Sequence, residues 1–77
     1  MNTDTNQDIQ RLAARLRTLR KAKGYGNYEQ FAFENELNRI QYGRYEKGSD
    51  LRFSSLMKVI RALDISVAEF FGEGFDE

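Results

Sequence analysis

Ile9, Leu12, Ala13, Leu16 and Leu19 recur at the i, i+3, i+4 spacing that lines one side of an α-helix, and Phe53, Leu56, Met57, Ile60 and Leu63 repeat it further along the chain. No stretch sustains the two-residue alternation of a half-buried strand, no internal repeat is visible, and proline is absent. These patterns predict an all-α fold. With 77 residues the chain has material for one domain and one modest core, and a single core of this size rarely supplies more than about 3–5 kcal/mol.

Cap residues divide the rest. Gly24 follows a Lys-rich turn and accepts the left-handed conformation that ends a helix, so the first helix is expected to stop near Lys23. Asn27 with Gln30, and Asn38 with Gln41, read as N-caps with a capping-box partner three residues on. They predict short helices from Tyr28 to about Asn35 and from Arg39 to about Lys47, the latter closed by Gly48. Ser49–Arg52 reads as a loop, with Asp50, Ser54 and Ser55 as candidate caps for the fourth helix and Arg52 a poor one. Ser66 with Glu69 forms a fifth start signal, Ile65 and Phe70 stapling it, with an end by Gly72. The resulting division is a polar arm over residues 1–8, a domain over 9–72 and a short acidic tail over 73–77.

Composition narrows function by subtraction. Without Cys or His there is no thiolate, no imidazole base and none of the usual zinc ligand sets, and the acidic pairs lack metal-like spacing. The expectation is a protein that is not an enzyme and uses no cofactor or metal. The polar start and the short apolar runs predict a cytoplasmic protein with no membrane partner. The 12 basic and 12 acidic residues cancel. They are nonetheless segregated, because Arg11 to Lys47 holds nine Lys and Arg against four Glu, and such a patch can steer an anion.

Tyr28–Lys47, two short helices joined by about three residues, has the layout of a helix-turn-helix, with Ala32 as the small residue at the crossing and Phe31, Leu37, Tyr42 and Tyr45 as its apolar contacts. Leu16–Arg20 with Gly24, Phe31-Ala32, Arg44-Tyr45-Glu46-Lys47-Gly48, Leu56–Leu63 and Ile65–Phe71 together resemble the XRE family of regulators, which includes the phage repressors and Cro proteins. The resemblance spans Ile9 to Phe71. It departs from the family where Asn35 and Glu36 replace the usual apolar residue and turn glycine, and where the frequent proline after the third helix is missing.

What the resemblance implies is a five-helix, lambda-repressor-like domain that binds double-stranded DNA as a homodimer on a palindromic operator, regulating transcription with helix 38–47 in the major groove. Arg39 is then the first candidate base reader, since a guanidinium pairs bidentately with guanine. Arg44 is placed to reach a base or a phosphate. Gln41 has two readings, adenine contact or cap; Ile40 has two, a thymine methyl or the domain interior. Gly43 permits close approach to the groove yet weakens its helix. Asn27, Tyr28 and Lys47 are candidate phosphate contacts, with Asn38 as the cap that starts the reading helix. Arg15, Arg17, Arg20, Lys21 and Lys23 read as an exposed helix face more readily than as DNA contacts. The resemblance further implies that Glu46 pairs with Arg17 or Arg20. The competing class is a protein-binding module, an antitoxin masking a toxin or an adaptor on a larger regulator. Phe70, Phe71 and Phe75 offer a subunit interface, with core burial the plainer role for Phe70.

Overall fold

A computed structural model describes residues 3–75. Five helices follow one another: α1 (Thr3–Ala22), α2 (Tyr28–Glu34), α3 (Arg39–Glu46), α4 (Phe53–Leu63) and α5 (Val67–Phe71). Among the described residues there is no strand, in keeping with the all-α expectation. Helix α1 begins well before Ile9, so residues 3–8 are its first turns rather than an arm. Residues 1–2 lie outside the described residues.

Three of the helices end in the same device. Past α1, Tyr25 N donates to Arg20 O at 3.1 Å and Gly24 N to Lys21 O at 3.0 Å. Past α3, Ser49 N donates to Arg44 O at 3.0 Å and Gly48 N to Tyr45 O at 3.3 Å. Both are Schellman closures, and Gly24 and Gly48 take the positive φ they require, 105° and 103°. Past α2 the pattern recurs, with Leu37 N to Ala32 O at 2.8 Å and Glu36 N to Phe33 O at 3.3 Å. Here the left-handed position belongs to Glu36, at φ 59°. The turn that lacks the usual glycine therefore keeps the glycine conformation, held by Leu37, which packs against the core.

Leu12, Leu16, Phe31, Ala32, Tyr42, Leu56, Val59, Ile60, Leu63 and Phe70 form the core. Helix α1 packs against α2 and α3, α2 against α3, and α4 contributes four core residues from one face. Ala32 is fully buried, as a close crossing needs. Two expectations from periodicity are corrected. Phe53 opens α4 before the helix reaches the core and is 72% exposed, while Val59, outside the expected stripe, is buried. The expected acidic tail is also not free over residues 73–75. Phe75 is half-buried, its ring 6.0 Å from Phe70 and 4.9 Å from Phe71; residues 76–77 lie outside the described residues.

The arginines of α1 do not form the exposed face that was expected. Arg15 is buried, its Nε donating to Phe70 O and its Nη2 to Glu69 O, both at 2.8 Å. It thereby satisfies the Phe70 carbonyl at the end of α5, only five residues long, and adds a second donor to the Glu69 carbonyl, which already accepts from Gly72 N. Arg17 Nη1 donates to Glu46 O at the end of α3. Arg20 is buried and bidentate with Glu46, Nε to Oε2 at 2.8 Å and Nη2 to Oε1 at 2.9 Å, with Nη1 donating to Tyr25 O at 2.9 Å. Lys21 and Lys23 alone of the five are exposed. Of the two partners expected for Glu46, Arg20 takes the carboxylate and Arg17 the backbone carbonyl. Hydrogen bonds to Glu46 raise the ionisation of Arg20 further, against the lowering effect of burial. The buried Tyr42 hydroxyl lies beside this pair without completing a hydrogen bond. Burial first, then the Glu46 carboxylate, push its ionisation far above the ordinary phenol value.

Removing one member of a buried pair strands the other charge, at a cost of about 3–5 kcal/mol. Glu46→Ala should therefore leave the chain largely unfolded in urea titrations followed by circular dichroism, and Arg20→Met combined with Glu46→Leu should recover most of the loss. The left-handed residue makes a second prediction. Glu36→Gly should leave the melting temperature unchanged or raise it, by up to about 1 kcal/mol of stability, whereas Glu36→Val should cost on the order of 1–2 kcal/mol.

Candidate nucleic-acid interface

Helix α3 divides sharply by side. Tyr42, Gly43 and Glu46 are buried and Tyr45 is half-buried, while Arg39, Ile40, Gln41, Arg44 and Lys47 are exposed. Glu46, tied to α1 through Arg20, and Tyr42, whose ring lies 5.2 Å from that of Phe31, set the rotation of the helix about its axis. Positions 40, 44 and 47 then fall on the opposite side. Ile40 is 69% exposed, which removes the reading that buried it in the domain. The guanidiniums of Arg39 and Arg44 take part in no ion pair or hydrogen bond of the chain among the described residues.

Asn38 caps α3, its Oδ1 accepting from Gln41 N at 2.9 Å. Asn27 caps α2 in the same way, its Oδ1 accepting from Glu29 N at 2.7 Å and Gln30 N at 3.1 Å. Only half of each expected capping box forms. The Gln30 side chain turns forward, Nε2 donating to Glu34 Oε2 at 2.9 Å, and the Gln41 amide group makes no hydrogen bond among the described residues. Gln41 reaches Asn38 through its backbone, and its side-chain donor and acceptor remain free.

Gly43 does not serve close approach to a ligand. It is buried, and a Cβ added there would stand 2.6 Å from Tyr28 Cε1 and 3.0 Å from the Tyr28 hydroxyl. The missing side chain is the space into which the Tyr28 ring packs, sealing the seam between α2 and α3. Lys47 lies over the same ring, Nζ 5.9 Å from its centre. The expected contacts thus sort into two ends of α3: Arg39, Ile40 and Gln41 at its start, and Tyr28, next to the Asn27 cap, with Lys47 at its finish.

A third group was missed. Arg44 and Gln41 face the α3–α4 loop across an open hollow of about 550 Å³, whose other walls include Ser49, Asp50, Arg52 and Ser55. Arg52 stands at the N-cap of α4 and makes no cap hydrogen bond with its side chain. An arginine where Ser, Thr, Asp or Asn stabilises a helix start was the signal in the sequence, a local rule broken without local gain. The basic surface therefore runs from α3 into the next loop, while much of the Arg11–Lys47 charge excess, Arg15, Arg17 and Arg20 above all, is spent on internal carbonyls and Glu46. Chemically, the exposed side of α3 offers guanidinium, amide and ammonium donors around one aliphatic residue, a set suited to base edges, phosphates or carboxylates.

Comparison of the chain with protein-family models, curated proteins and solved structures finds no significant match. Among the described residues no helix is long and apolar enough to cross a membrane, and no group of three or more acidic, His or Cys side chains could hold a metal ion.

The Tyr28 contact separates a structural from a functional glycine. Gly43→Ala should destabilise the chain, because the ring must leave its seat. In a Tyr28→Ala background the same substitution should stabilise it by about 1 kcal/mol, the helix-propensity gain of Ala over Gly. Thermal melts of the four chains measure the coupling.

Proposed function

We propose that the chain is a helix-turn-helix regulator of the XRE type, with a lambda-repressor-like arrangement of its five helices, that binds double-stranded DNA by laying α3 in the major groove. The observation that carries the reading is the free outer side of α3: Arg39, Ile40, Gln41 and Arg44 are exposed together, their side chains without hydrogen-bond or ion-pair partners among the described residues, on a helix locked from behind by the Arg20–Glu46 pair. A groove-reading helix needs donors at its N-terminal turn and a rigid seat behind them. Arg39 is assigned to guanine, Gln41 to adenine through its uncommitted amide group, and Ile40 to a thymine methyl. Asn27 and Tyr28 at the start of α2, with Lys47, are assigned to phosphates. One short helix reads few base pairs, so two chains on a palindromic site are the natural binding unit.

Phe33 and Phe53, each 72% exposed, favour a second reading in which a protein partner is the main ligand, as for an antitoxin or adaptor. Salt separates the two. Binding through ~6–10 phosphates should weaken by about 10³–10⁵ between 50 and 200 mM salt, and an apolar protein interface should barely respond.

Selection from a random duplex pool should yield a palindromic site occupied by two chains, read out by sequencing and light scattering. Arg39→Ala should then lower affinity for that site by about 1–3 kcal/mol while sparing non-cognate binding. No selected sequence, with salt-insensitive capture of a protein instead, sinks the DNA reading.

A further inference from the structure

Arg39 and Arg44 both lie on the exposed side of α3, yet their surroundings differ. Arg39 stands in the first turn and does not line the hollow that Arg44 faces. Arg44 lines the open hollow between α3 and the α3–α4 loop, sharing it with Gln41, Ser49, Arg52 and Ser55. Two arginines and two serines around one polar concavity form a donor-rich seat for a tetrahedral anion, with Gln41 at its edge toward the first turn of α3. One member opposes that chemistry. Asp50 lines the same hollow, and its Oδ1 is turned to the Leu51 backbone, accepting from Leu51 N at 2.8 Å. Asp50 has no ion pair with Arg44 or Arg52 among the described residues.

We infer that this hollow seats one backbone phosphate of the duplex between Arg44 and Arg52, and that the Asp50 carboxylate beside it acts as a built-in counterweight that holds down affinity for any DNA regardless of sequence. The inference rests on the DNA reading and divides its labour. Base choice belongs to the first turn of α3, and Arg44 is a positioning contact. A chain with zero net charge reaches its polyanion through a few local seats rather than an overall field, so one carboxylate within such a seat has leverage on binding.

The test uses the full chain with its selected duplex and with a scrambled duplex, across a salt series. Arg44→Ala and Arg52→Ala should each weaken binding to both duplexes by the same factor, about three- to tenfold near 100 mM salt, and each should lower the salt slope by about 0.9. Asp50→Asn should strengthen both by a similar factor, a gain that unfolding cannot imitate. Arg39→Ala, by contrast, should narrow the gap between the two duplexes. A changed site preference in Arg44→Ala would make that residue a base reader and overturn the division. Unchanged affinity in both Arg52→Ala and Asp50→Asn, while Arg39→Ala still loses discrimination, overturns the seat but leaves the DNA reading intact. Millimolar-range binding of inorganic phosphate at the hollow that duplex does not displace assigns it to a free anion and overturns the backbone role. If the unsubstituted chain binds neither duplex, both readings fall together.

Discussion

The bidentate contact between Arg20 and Glu46 is the constraint on which the exposed surface depends. It joins the last turn of α1 to the last turn of α3 from inside the molecule, with both side chains buried. A pair of this kind adds little net stability over apolar side chains of equal volume, because desolvation offsets most of the attraction. Its geometry does more. With Glu46 pointed at α1, and the Tyr42 ring one turn earlier packed at tilted and edge-on angles among Phe31, Tyr28 and Tyr45, the rotation of α3 about its axis is fixed from two points. A small core would otherwise tolerate several rotations.

The neighbouring arginines of α1 extend the same logic to two other helix ends. Short helices leave a large share of their carbonyls unpaired, and α3 and α5, at eight and five residues, are short. Arg17 reaches the end of one and Arg15 the end of the other. A single amphipathic helix therefore works as a spine whose polar flank fastens the termini of its partners. The cost is that these cations are withdrawn from the surface, so that of the five basic residues from Arg15 to Lys23 only Lys21 and Lys23 stay exposed beside those of α3 and the loop after it.

Much of the architecture was legible in local chemistry. Asn27, Asn38 and Ser66 accept the backbone bonds that their types at those positions anticipate, because an N-cap is decided within four residues. Gly24 and Gly48 end helices for a reason equally local. Glu36 was harder to read. Its side chain gives no sign of a left-handed residue, and the conformation is imposed by Leu37 behind it, which must reach the core. Phe53 misled for the converse reason: helical spacing tells which residues share a stripe, not how far along the stripe the core extends.

The order of the five helices, their caps and most of the buried stripe follow from the sequence by itself, since period, cap type and glycine placement act over a single turn. The exposure of Arg39 and Arg44 agrees with what the sequence led one to expect, whereas for Ile40 the sequence left exposure and burial open and packing chose exposure. Packing alone decided that Arg15 turns inward, that Arg20 rather than Arg17 takes the Glu46 carboxylate, that Gly43 makes room for Tyr28, and that Arg52 joins Arg44 across a hollow. The physical reason is plainest for the arginines of α1. An arginine on a helix surface is the same to its near neighbours whether it faces water or a bare carbonyl, and which it meets depends on a helix end tens of residues away in the chain.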